Sequence, residues 1–248
     1  TAGLDTDDAT VVSSFGDIEV NTVTIGGAAA GDVSITAQSG SILDQDDNST
    51  ITANQLTLVA GADIGAAGTL AINTTVDEYL NVASTVSGDI HLNETNLLTV
   101  TSATSASGSI NITNGAFDMT VDTVTANGDV TLTTGADLVD DADGNSAITG
   151  DLVTLNAVTG IGEADDIETA AVQLAAHVTG TGGILIDEAD GVELLDVDTF
   201  DGSITIETSG DTIATDVQSG DNADGGADDI GLTLTAGNLE VGTISADV

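Results

Sequence analysis

Of the 248 residues, 42 are Asp or Glu and none is Lys, Arg, Pro or Cys, giving a formal charge of −42. Such a chain lacks the cations for phosphate backbones or anionic lipid surfaces, lacks thiolate and disulfide chemistry, and with two His is expected to form no surface salt bridge. A hydrophobic fraction of 40% and a mean hydropathy of +0.23 separate it from a disordered acidic tail and predict a folded core of Val, Ile, Leu and Ala.

The chain opens at Thr1 and its one Met is Met119, which suggests a piece of a longer or processed protein. No stretch approaches the roughly 18 apolar residues of a spanning helix, so membrane insertion is not expected. The first recognisable unit is GDIEV from Gly16, and GDVSI follows from Gly31. Each is a turn residue, then Asp or Ser, then two aliphatic residues around a polar one, as in a strand with one buried face. The spacing puts Ile18, Val20, Val33 and Ile35 inside and Ser34 outside. LDQDDN comes next, with Asp44, Asp46, Asp47 and Asn48.

GDIHL from Gly88 carries His91 between Ile90 and Leu92, on the outward side. GSINI from Gly108 and GDVTL from Gly128 place Ile110, Ile112, Val130 and Leu132 inside and Asn111 and Thr131 outside. From Gly128 the chain repeats itself: Gly31, Ile51 and Ile64 return as Gly128, Ile148 and Ile161, each 97 residues later. Superrepeats 31–127 and 128–230, degenerate at their ends, are therefore expected within one elongated unit, 1–248. The partner of LDQDDN is VDDADGN, with Asp140, Asp141, Asp143 and Asn145. Segment 163–178 has helical features, but it aligns with the alternating LAINTTV of 65–86 and is expected to be strand. It contains His177. GGILI from Gly182, DVDTFDG with Asp196, Asp198 and Asp201, GSITI from Gly202 and DNADGGADD with Asp221, Asp224, Asp228 and Asp229 complete the series.

Short strands with a superrepeat near 97 residues fit two all-β architectures. Tandem β-sandwiches need large aromatic core residues, and the chain has no Trp, one Tyr and three Phe. A right-handed parallel β-helix, or β-solenoid, is a narrow tube that small aliphatic residues fill, with Gly, Asn and Asp at its corners. The missing Pro agrees, because internal strands pair on both sides. About twelve coils, stacked ~4.8 Å apart, would give a rod of roughly 60 Å. Phe15, Phe117 and Phe200, beside turn-like segments, are expected to plug gaps between coils.

The GDIxL and GSIxI units and the phrases VTLTTGADL and GLTLTAGNLEVGTI, on a Thr/Gly/Asp-rich background, resemble the filamentous-haemagglutinin-type exoproteins of bacteria. The resemblance covers nearly the whole chain. It implies a right-handed parallel β-helix, secretion to the bacterial cell surface, and a stalk, sheath or filament role. Adhesion to a host or a neighbouring cell is the alternative. No catalytic residue is carried over.

Calcium takes six to eight oxygens on a flexible loop, and DADGN from Asp141 brings several together. Asp141, Asp143 and Asn145, with Asp44, Asp46 and Asn48 in the earlier repeat, are thus candidate calcium ligands; turn residues at solenoid corners are the other reading. Both His are expected to face solvent rather than bind metal, since no HxH or HxxxH spacing occurs. Enzymes that cleave acidic polysaccharides need Lys or Arg against the substrate carboxylate, so no enzymatic activity is expected. Stacked coils leave open ends, so end-to-end self-association, or flanking coils of the same large protein, is the expected partnership.

Overall fold

The computed structural model describes residues 8–25, 31–142, 144, 147–162, 165–220 and 228–246. Among these residues every assigned strand pairing is parallel, which two-residue hairpins cannot produce and which excludes tandem sandwiches. The strands stack into a β-solenoid of about ten turns rather than twelve. The smaller number follows from coil length: equivalent residues lie 20 apart in the middle of the stack and 27 apart near its C-terminal end. At ~4.8 Å per coil the stack is about 50 Å long.

One column of strands runs through Ile90–Glu94, Ile110–Asn114, Val130–Thr134 and the second half of Ala147–Ala157. Its register aligns Ile90, Ile110, Val130 and Val153, so aliphatic side chains stack directly on one another inside the tube. Burial alternates along each strand, and the predicted inward residues Val33, Ile35, Ile110, Ile112, Val130, Leu132, Ile204 and Ile206 are at most 1% exposed. Segment 163–178 contributes to strand Ile167–Thr181, as the alignment with LAINTTV implies. The one helical element among the described residues is the 3₁₀ turn Gly68–Leu70.

The repeated Gly-Asp and Gly-Ser units have a direct structural meaning. The Asp17 carboxylate accepts the Ser41 N–H at 2.8 Å, and the Asp89 carboxylate accepts the Ser109 N–H at 2.8 Å. Ser109 Oγ then accepts the Asp129 N–H at 3.1 Å, and the Asp129 carboxylate accepts the Leu152 N–H at 3.2 Å. At this corner each side chain holds the backbone of the coil that follows. The glycines beside them keep the corners close: a Cβ on Gly108 would lie 2.2 Å from the carbonyl oxygen of Gly88. The acidic residue of the unit is therefore a bridge between coils as well as a surface charge.

The aromatic residues depart from expectation. Phe15, Phe117 and Phe200 are 90%, 47% and 56% exposed, so none plugs the stack. The stacked aliphatic columns already fill the tube, and a ring has no room between layers ~4.8 Å apart.

Candidate functional site: carboxylates on and between the coils

On the outer surface, His177 meets Asp198 of the next coil, and Asp196 stands beside them. A register shift after Leu174 sets Ala175 opposite Asp196 and His177 opposite Asp198, with Leu195 as the extra residue. Asp196 and Asp198 thereby flank the inward Val197 and share one face. One ligand atom from each of the three side chains lies within 4.8 Å of the others, so the trio has the reach to hold a metal ion. The hydrogen bond that the His177 ring donates to Asp198 raises the imidazole above its ordinary value of 6.5, against the lowering effect of burial. When its ring is protonated, His177 supplies a positive charge opposite Asp198, a contact that was not expected from the sequence. Its partner comes from the coil above, which sequence spacing around His177 does not reveal.

His91 also faces outward, over a shallow groove of about 250 Å³ that it lines with Asn93, Asn111, Thr113 and the turn at Ala67 and Gly68.

Two glutamates lie inside the wall. Glu94 is 3% exposed and Glu188 is 0% exposed. Glu94 accepts the Thr74 hydroxyl at 2.7 Å and the backbone N–H groups of Val76, Thr95 and Asn96. Glu188 accepts the Thr169 hydroxyl at 2.6 Å and the N–H of Ala171 at 3.2 Å. Burial raises both carboxyls above the ordinary Glu value, and these hydrogen bonds offset part of the rise. Neither stood out in the sequence, because each sits at the end of an ordinary alternating strand, IHLNE and ILIDE.

The predicted calcium residues divide. Asp44 is buried, and its carboxylate accepts the N–H groups of Asp46, Asn48 and Ser49 at 3.2, 3.2 and 2.9 Å. These bonds outweigh the effect of burial and hold its carboxyl below the ordinary Asp value. Asp46 and Asn48 are exposed on the same turn. Asp141 is half-buried and hydrogen-bonded or paired, whereas Asp143 and Asn145 lie outside the described residues. Of the lesser clusters, Asp221 and Asp224 also lie outside them.

Register decides which residue of the second repeat matches Asp44. Ile42 bridges Ile64, and Leu138 pairs with Ile161, the residue 97 positions after Ile64. Asp44 therefore corresponds to Asp140 rather than to Asp141, with one residue added in the later turn. Asp140 is 4% exposed and accepts the Ala142 N–H at 2.5 Å. Against it, on the next coil, lies Glu168. Burial first, and then the carboxylates of Asp140 and Asp166, push Glu168 up to about 7.

No protein-family model matches the chain, and neither a curated protein nor a solved structure does.

Proposed function

We propose that this chain is a non-enzymatic structural rod of an exported, surface-type protein, one that lengthens by stacking coil upon coil. The observation that carries this reading is the stack itself, in which equivalent strands pair coil after coil in parallel register around one continuous aliphatic column. Strand Leu239–Ala246 pairs on one side with Thr212–Ser219, and on its other side no described strand follows. Its Leu239, Val241 and Ile244 are 42%, 51% and 40% exposed, whereas Val217, which pairs with Ile244, is fully buried. At the opposite end Val11, in register with the buried Ile35, is 43% exposed. An open row of backbone groups beside uncovered aliphatic residues is a template for another parallel strand. The occupant is either a flanking coil of the same large protein or the first coil of a second copy, and both present the complementary edge.

Charge supports the surface role. A rod carrying −42 stays dispersed at low ionic strength, and its ends meet only when the repulsion is screened. Negative-stain electron microscopy and light scattering at low and at about 1 M salt test this, since the Debye length falls to ~3 Å there. Rods that join end to end, in lengths that are multiples of one unit, are expected at high salt. Particles that stay single at every salt and protein concentration would overturn the stacking role.

A further inference from the structure

The two repeats differ at one seam. In the first, the Asp44 carboxylate is occupied by three backbone N–H groups, and the facing residue of the next coil is Asn73, whose N–H donates to Ser49 Oγ at 3.0 Å. Thr74 pairs with Ile51, and Thr169 pairs with Ile148, so the residue before each threonine is equivalent: Asn73 in one repeat, Glu168 in the other. A neutral amide in the first module is thus an acid in the second. The acid faces Asp140, which is more than nine-tenths buried.

Both carboxyls are incompletely satisfied. Asp140 takes the Ala142 N–H on Oδ2, and its Oδ1 is buried with no hydrogen-bond partner. Glu168 Oε2 is buried and has no donor either, so the contact between the Asp140 and Glu168 side chains sets carboxyl against carboxyl. Burying a carboxylate oxygen without a donor or counter-charge costs several kcal/mol. The usual remedy is Lys or Arg, and the chain has neither. Asp166, close enough to act on the same charge, deepens the negative potential.

We propose that the seam between Asp140 and Glu168 binds a hard divalent cation of the calcium type. Asp140 Oδ1 and Glu168 Oε2 are its buried ligands, and Asp166 contributes charge. Such ions prefer carboxylate oxygens and complete their shells with water. One divalent ion neutralises both acids and ties two successive coils together. The first repeat has no equivalent site, because Asp44 is already saturated by backbone donors and Asn73 brings no charge.

Isothermal titration with calcium chloride tests the site in the full chain, in about 0.5 M KCl so that the diffuse ion atmosphere is screened. The variants are Glu168→Gln, which keeps size and hydrogen-bonding capacity, and Glu94→Gln as a control elsewhere in the wall. The expected result is one saturable site in the native chain, weakened about tenfold or more by Glu168→Gln, a loss of ~1.4 kcal/mol. Glu94→Gln leaves it unchanged. Equal binding by the native chain and Glu168→Gln would mean that calcium sits elsewhere on the acidic surface. No saturable binding by the native chain would mean that a shared proton satisfies the pair. Either result overturns the assignment.

Discussion

Glu94 and Glu188 hold the same place in successive modules, each taking a threonine hydroxyl and a backbone N–H from the coil before it. Thr74 and Val76 serve the first, and Thr169 and Ala171 the second. Burial raises each carboxyl above the ordinary Glu value, and the donors around it lower it only in part.

Stability is expected to rise as pH falls through the raised values of Glu94 and Glu188 toward the ordinary Glu value near 4.5. Burial raises both carboxyls above the unfolded value near 4.5, so the folded chain retains protons that the unfolded chain releases. Their contribution is complete below that unfolded value and is lost as pH climbs through the raised folded values. Asp44 acts in the opposite sense, because its carboxyl is lowered and its contribution disappears as pH drops below the ordinary 3.8. Thermal melts should therefore peak in mild acid. Glu188→Gln should raise the melting midpoint at pH 8 by about 2–4 °C and have little effect near pH 4. An equal effect at both pH values would refute the account.

Ionic strength should act in the same direction. With no positive side chain other than His, folding concentrates like charge, and screening relieves it. Melting in about 10 mM salt should occur well below melting in about 500 mM, where the Debye length is a few ångström. A midpoint independent of salt would contradict this.

Ile110 lies between Ile90 and Val130 in the stacked column, at 1% exposure. Ile110→Ala should cost about 2–5 kcal/mol, as truncations in packed cores do. Phe15→Ser, at a 90% exposed ring, should fall within ~0.5 kcal/mol of the native chain. Denaturant titration of the two variants separates a tube filled by aliphatic columns from one plugged by aromatics.

Gly108→Ala should destabilise strongly, because the new methyl group would stand 2.2 Å from the Gly88 carbonyl oxygen. Gly231→Ala meets nothing nearer than 3.9 Å and should be tolerated. A comparison of their melting midpoints checks whether coil spacing is what the corner glycines protect.

His177 should titrate above 6.5, and Asp198→Asn should bring its value down, because the hydrogen bond donated to the Asp198 carboxylate is the main cause of the rise. Proton NMR of the imidazole resonances reads this directly. An unchanged His177 titration in the variant would show that the pair does not form.

The stacking was legible in the sequence because its cause is local. A Gly-Asp or Gly-Ser corner followed by alternating aliphatic residues describes one coil, and the next coil repeats the pattern. The sites were less legible because they depend on register between coils. Counting 97 residues from Asp44 reaches Asp141, yet one added turn residue leaves Asp140 at the buried position. Pairing His177 with Asp198 requires the bulge at Leu195, and hydropathy alternation does not mark bulges. Glu94 and Glu188 lie at strand positions that elsewhere hold Asn114 and Thr208, so their pattern reads as ordinary sheet.

The corner ladder runs one way only. At Asp17, Asp89, Ser109, Asp129, Ser203 and Asp211 the side chain accepts and the backbone N–H of the later coil donates. Along the stack this side-chain ladder has one sense, with the acceptor always on the earlier coil and the donor on the later one. The backbone beside it is not divided in this way, since the Ile90 and Ile110 N–H groups of earlier coils donate to the Ser109 and Asp129 carbonyls of later ones. The corner side chains therefore mark the direction of the chain along the stack, which the backbone ladder alone does not.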